Sequence, residues 1–270
     1  MEAAQAGALT QRVPVLVEAC VDAIDAALEA EQGGAGRIEL CGELLQGGVT
    51  PSAGLIGAVW ERLQIPVFVL IRPRTGDFLY DDDELDVMLR DIEMARSLDV
   101  VGVVIGALTH DGDIDVGTLS TLIEAAGNME VTFHRAFDFV KDQNVALEAL
   151  IELGVARVLT SGGAATALEG ATALARLVAQ AGERITILAG GSITAANIGD
   201  VVRQSGVSEV HLRAAARVDS AMTHRRTKVS LGRQQVPGDY ERVVTRADEM
   251  RRVIAAIAEL SPPPHGQENR

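Results

Sequence analysis

Eight short aliphatic runs, alternating with seven longer amphipathic segments, set the strongest limit on what this chain can fold into. The runs fall at 15–20, 37–41, 66–72, 101–108, 130–135, 157–160, 184–189 and 209–212. They are continuous and rich in β-branched residues, the pattern of strands buried on both faces. The segments between them, at 22–32, 52–63, 84–98, 116–126, 145–153, 168–181 and 195–204, carry apolar residues at helical spacing. Leu85, Val87, Met88, Ile92, Met94 and Ala95 show it most clearly. Several segments end in glycine just before the next run, at Gly33, Gly127, Gly154, Gly182 and Gly206, where left-handed helix caps are expected. An unbroken series of βα units predicts an α/β fold of the (β/α)8 TIM type, closed and parallel. A doubly wound open sheet is the alternative, but no nucleotide-binding glycine loop follows the first strand at Glu18-Ala-Cys-Val-Asp22.

The chain has 270 residues, and one such barrel needs ~250. Only 3% of residues are aromatic, so the core must be built from Val, Ile, Leu and Ala. Residues 1–12 and 261–270 are expected to be disordered, the first small and polar, the second rich in proline, with one barrel domain over 13–260. The stretch 213–233 reads as a loop, and 240–260 as an additional charged C-terminal helix packed on the barrel or on a partner subunit. The net charge of −14 repels phosphate backbones and anionic headgroups, so neither nucleic acid nor a membrane surface is an expected partner. No apolar run approaches the ~20 residues of a membrane span, and no basic, then apolar, leader opens the chain. Two cysteines form no disulfide framework, and a reducing cytoplasm is the expected compartment.

In this fold, functional side chains sit at the C-terminal strand ends, and alternation decides which point inward. The first two strands close with the same E-x-C pattern, Glu18-Ala19-Cys20 and Glu39-Leu40-Cys41. The thiols approach closely if the barrel's stagger sets them level. They then read either as soft ligands suited to Cu(I) or as small buried hydrophobes. Arg72 and Arg74 share a face after the third strand and suit a carboxylate or phosphate, or else an ion-pair lattice with Glu18, Glu39 and Asp77. His134, near Arg135 and Asp138, is a candidate general base or metal ligand. The turns at Ser161-Gly162 and Gly190-Gly191 offer backbone N–H groups to an anion. Arg213, inward with Glu209 and His211, is placed to complete such a site.

Several stretches together resemble the CutC copper-homeostasis family. They are Val17-Glu18-Ala19-Cys20, Arg37-Ile38-Glu39-Leu40-Cys41, Gly47-Gly48-Val49-Thr50-Pro51-Ser52, Arg72-Pro73-Arg74-Thr75-Gly76-Asp77-Phe78, Thr132-Phe133-His134-Arg135-Ala136-Phe137-Asp138 and Arg157-Val158-Leu159-Thr160-Ser161-Gly162. The likeness runs over about residues 14–232, in the family's order. It implies a TIM-type barrel, a cytoplasmic homo-oligomer, and a Cu(I) site on the matching Cys20 and Cys41. The chain departs from the family pattern at Thr75, usually glycine, at Leu212 and Arg213, usually small or hydroxylic, and at His224, usually aromatic.

Two functions of different class follow. One is a copper-homeostasis protein holding Cu(I) at Cys20 and Cys41, with Met222 as a further soft ligand. The other is a lyase- or isomerase-type enzyme on a small anionic or phosphorylated metabolite. There Arg72, Arg74, Ser161, Gly162, Gly190, Gly191 and Arg213 hold the anion, and Glu18, Glu39, His134 and Asp138 move protons.

Overall fold

The computed structural model describes residues 15–230 and 237–260. The two terminal segments expected to be disordered lie outside these residues. Eight strands close into a parallel barrel in sequence order: β1 (Leu16–Val21), β2 (Arg37–Leu40), β3 (Val67–Leu70), β4 (Gly102–Ile105), β5 (Glu130–Phe133), β6 (Arg157–Thr160), β7 (Thr186–Gly190) and β8 (Glu209–Leu212). Closure is made where β1 pairs with β8, Glu18 lying opposite His211. The helices between the strands are α1 (Ile24–Gln32), α2 (Ala53–Trp60), α3 (Asp82–Ser97), α4 (Val116–Ala126), α5 (Gln143–Glu152), α6 (Ala171–Ala181) and α7 (Ile198–Ser205).

Each helix buries one stripe against the outer face of the strands. In α3 the stripe is Met88, Ile92 and Ala95, and in α4 it is Leu119, Leu122 and Ala126. Asp81 and Glu84 start α3 with a reciprocal capping box, each side chain accepting from the other's backbone N–H.

After β8 the structure corrects the sequence reading. Part of the stretch read as loop is a strand, β9 (Ala215–Asp219). It pairs antiparallel with β10 (Glu241–Thr245), taken from the expected helix. The helix α8 is therefore shorter, Ala247–Ala258. The reason is local: Glu241-Arg242-Val243-Val244-Thr245 carries three β-branched residues in a row and pairs with β9, while the helical stripe of Met250 and Val253 begins only after it. α8 packs against both α1 and α7, and so fills the gap in the ring of helices left after β8.

Inside the barrel, Cys41, Phe68, Leu70 and Val104 form an apolar cluster separate from the strand–helix core. The Phe68 ring fits there because Gly102 faces it. A Cβ at Gly102 would stand 2.2 Å from Phe68 Cε1 and 2.6 Å from the carbonyl oxygen of Glu130. One of those neighbours is backbone and cannot swing away. Gly102→Ala is expected to destabilise the protein by about 1–3 kcal/mol, the usual cost of overpacking. Denaturant melts check it, and a change within about 0.5 kcal/mol would contradict the packing account.

Candidate functional site at the barrel mouth

The barrel interior below the mouth is ionic. Glu18 is 1% exposed and accepts a hydrogen bond from Arg37 Nε. Arg37 Nη2 donates in turn to Glu209. Glu209 also lies 3.4 Å from Arg157, whose Nη2 donates to Glu130 at 2.7 Å. The guanidinium carbons of Arg37 and Arg157 stand 5.4 Å and 5.0 Å from the centroid of Phe68. Inward-facing residues of β1, β2, β5, β6 and β8 are thus tied into one chain of alternating charge.

His211 joins this chain to the mouth. Its Nδ1 lies 2.7 Å from Glu18 Oε1 and its Nε2 lies 3.5 Å from Glu39 Oε2. Burial works against charge on His211, but Cys20, Glu18 and Glu39 outweigh it and push its pKa well above the usual value. Glu18 answers in the opposite direction. Burial alone would raise its pKa, but the hydrogen bond and charge of His211, with Arg37, bring it down to about 2. Glu39 has no such direct hydrogen bond. Burial, with the nearby charge of Glu18, raises it to about 7 despite His211 and Arg37. Two carboxylates flanking one imidazole are thus driven apart in acidity. Ligand atoms of Glu18, Glu39 and His211 all lie within 4.8 Å of one another, a spacing a metal ion could also bridge.

Above this layer opens a cavity of about 130 Å³, lined by Glu39, Cys41 and His211 on one side and by Arg72, Phe78 and His134 on the other. Leu44, Leu70 and Leu159 supply apolar wall between them. Both cysteines are free, Cys41 buried and Cys20 partly so. The register sets Cys20 opposite Glu39, and Cys41 lies beyond the Val21–Leu40 pair. The thiols therefore stand at successive levels of the barrel rather than side by side. Burial, then the charge of Glu39, pushes the Cys41 thiol well above its ordinary pKa.

His134 is the first residue after β5, and its Nδ1 accepts the backbone N–H of Ala136 at 3.1 Å. Burial, helped by the charge of Arg72, lowers its pKa to about 3, so the ring is neutral. It lies over Gly106, where a Cβ would stand 2.3 Å from the ring. The Phe78 ring is 5.0 Å from that of His134 and 4.9 Å from the guanidinium carbon of Arg72.

The other candidates go elsewhere. Asp138 folds into the turn after β6. It accepts from the N–H groups of Ser161 and Gly163 and from the Thr160 hydroxyl, and it pairs with Arg135. The Gly162 N–H goes to Thr160 Oγ1. The chain's own carboxylate thus occupies donors of the turn after β6, one of the two turns the sequence offered to an anion. Arg74 is paired with Glu84 and Asp77, and Arg213 with Asp22 and the carbonyl of Val243. At the turn after β7, the Gly191 carbonyl accepts from Ala167 N–H, and Gly190 leaves room for Leu159 and His211. Met222 is exposed. Of the proton-moving and anion-holding candidates, the cavity brings together Glu39, Arg72 and His134, with Glu18 just beneath. Sequence reasoning set His211 on the right face but gave it no role, and it passed over Arg37, Phe78 and Gly106. Inward alternation from Glu209 was the available signal for His211.

A closed (β/α)8 barrel with convergent polar side chains at the C-terminal strand ends defines the class, a TIM-type barrel protein. Within that class the chain belongs to the CutC family, whose model matches residues 15–216. It is 46% identical over 243 residues to the mouse copper homeostasis protein cutC homolog, covering 90% of this chain and 89% of that one. It is 46% identical over 245 residues to a CutC family protein of Mesorhizobium japonicum, covering 91% and 95%. The solved CutC structure from Streptococcus agalactiae superposes with a TM-score of 0.71 at 34% identity, over 73% of this chain and 97% of that one. A thiamine phosphate pyrophosphorylase from Pyrococcus furiosus, at 14% identity and a TM-score of 0.56, shares the fold.

Because Glu18 holds two cationic partners out of water, Glu18→Gln is expected to cost about 3–5 kcal/mol, the range for breaking a buried pair. Its lowered pKa also fixes the sign of the acid response. The stabilisation is full above the unfolded value of 4.5 and is lost as pH falls toward about 2. Urea melts from pH 6 down to pH 3 should show wild type losing more stability than Glu18→Gln. Parallel losses in the two would contradict the assignment.

Proposed function

We propose that this chain is a copper-homeostasis protein that takes up Cu(I) at the barrel mouth through Cys20 and Cys41. The carrying observation is that its two cysteines are both free and close neighbouring strands β1 and β2, in a chain of the CutC family. The donor chemistry fits. Thiolates are soft ligands that suit Cu(I), and two of them can satisfy a low-coordinate ion. His211, in contact with Cys20, offers the nearest further nitrogen. The family's name supports a copper relation for the relatives, and the thiols carry it over to this chain.

The buried Cys41 thiol is protonated at neutral pH, and a thiol must lose its proton to bind metal. The cation would offset the carboxylate field that now opposes ionisation. We also propose a cytoplasmic site of action, where thiols stay reduced, and a homo-oligomeric assembly. Among the described residues no helix is long and apolar enough to cross a membrane.

A second reading has one specific observation in its favour. Glu39, with its pKa raised to about 7, shares a cavity with Arg72, a cation that pairs with no carboxylate among the described residues. A carboxyl group poised near neutrality beside a free cation suits proton transfer on a small anionic molecule, as in a lyase or isomerase.

Anaerobic titration with Cu(I) tests the first reading. About one ion per subunit is expected, with affinity rising as pH rises because protons leave on binding. Replacing Cys20 and Cys41 together by Ser should abolish it. Equal binding by the double variant would remove the thiols from the site. Light scattering should report more than one subunit, and a clean monomer mass would remove the assembly.

A further inference from the structure

The two walls of the mouth cavity differ in how their charge is balanced. On one wall Glu39 and His211 belong to a group that also holds Glu18, Arg37, Glu209 and Arg157, three carboxyl groups and three cations in contact, with the half-exposed Glu130 at its outer end. On the other wall, Arg72 is 6% exposed and pairs with no carboxylate among the described residues. Its terminal nitrogens donate to the carbonyls of Gly47, Gly48 and Gly76, which hold the guanidinium in place but carry no charge. Its Nε–H is buried and has no acceptor. Buried cations are ordinarily paired, so this one is held ready for a counter-charge.

His134 supplies a second donor of the same kind. Its Nδ1 accepts from Ala136, so the single proton of the neutral ring sits on Nε2. The residue is 5% exposed and that N–H also lacks an acceptor. Phe78 lies against both groups, which sets the two donors around one aromatic ring.

We propose that Arg72 and His134 bind the carboxylate of a small monocarboxylic acid, its apolar body lying on Phe78, Leu44, Leu70 and Leu159. The charge count selects this class. One unbalanced positive charge matches one negative charge, and two N–H donors match two carboxylate oxygens. A phosphate dianion would bring a second charge with nothing to meet it. Arg135, the other guanidinium on the lining, is already committed to Asp138. The turn after β6, one of the two that would suit phosphate, is filled by Asp138 as well. A cavity of about 130 Å³ suits a short acid. The inference is independent of copper. It names the ligand class for the second functional reading, and binding is read here without turnover, so failure of catalysis leaves it standing.

Calorimetric titration of the metal-free protein at neutral pH tests it, with acetate, propionate, butyrate and inorganic phosphate as separate titrants at constant ionic strength. Saturable heats are expected for the carboxylates, tightening from acetate to butyrate. Arg72→Met and His134→Phe should each weaken binding by at least about tenfold, and the surface variant Arg90→Ala should not. If Arg72→Met fails to fold, the histidine pair still decides. His134→Gln keeps an N–H donor and should bind better than His134→Phe. No saturable binding by any carboxylate would overturn the proposal. Binding of phosphate alone, or carboxylate binding indifferent to the His134 variants, would overturn it too.

Discussion

Everything at the mouth rests on Glu18. A closed parallel barrel must fill its own axis, and most of the filling has to come from inward residues of the strands. Here much of it is charge. A buried carboxylate is tolerable only when its oxygens are met by donors, since the cost of leaving water runs to several kcal/mol per ion. Glu18 meets that condition twice, with Arg37 at one oxygen and His211 at the other. Arg37 passes the constraint to Glu209, and Glu209 to Arg157, so β1, β2, β6 and β8 are set in register by one chain of charge. Phe68 lies against both guanidinium groups, and Gly102 makes room for its ring.

From this floor the cavity acquires two unlike histidines. Cys20, Glu18 and Glu39 around His211 push its pKa well above the usual value against burial, while burial and the charge of Glu18 raise Glu39 to about 7 despite His211. His134 is neutral because burial and Arg72 forbid a second positive charge beside it. The same side chain therefore serves as an ion-pair bridge on one wall and as an uncharged N–H donor on the other. Cys41 lines the cavity between Glu39 and the apolar residues, and Cys20 lies beneath with His211. A soft-metal function and an anion-binding function are thus spatial neighbours that draw on different atoms.

Much of this was legible in the chain. The eight strands announced themselves as β-branched runs, because strands buried on both faces have no polar phase to hide. Glu18, Glu39, Arg72 and His134 stood out as polar interruptions at the ends of such runs, and the cavity gathers the last three, with Glu18 just beneath. What the sequence could not convey depends on distances across strands or along loops. The level of Cys20 against Cys41 is a matter of inter-strand register, which neither strand encodes alone. Arg74 and Arg213 looked as available as Arg72, yet the path of the chain brings Glu84 and Asp22 to them. Asp138 looked like a catalytic acid and instead curls into the glycine turn that was expected to hold an anion. The β9–β10 pair was hidden because its strands are separated by 21 residues, 220–240, with β9 itself short and mixed.

The mouth holds two buried histidines pushed in opposite directions, His211 toward the charged ring and His134 toward the neutral one. Nitrogen-15 NMR of the imidazole rings tests this most directly, with His134→Gln and His211→Gln used for assignment. The account predicts that at pH 7.5 His211 shows both ring nitrogens protonated, while His134 shows a protonated Nε2 and a bare Nδ1 that persists below pH 5. A neutral His211, or a His134 that titrates near the ordinary histidine value of 6.5, would contradict it.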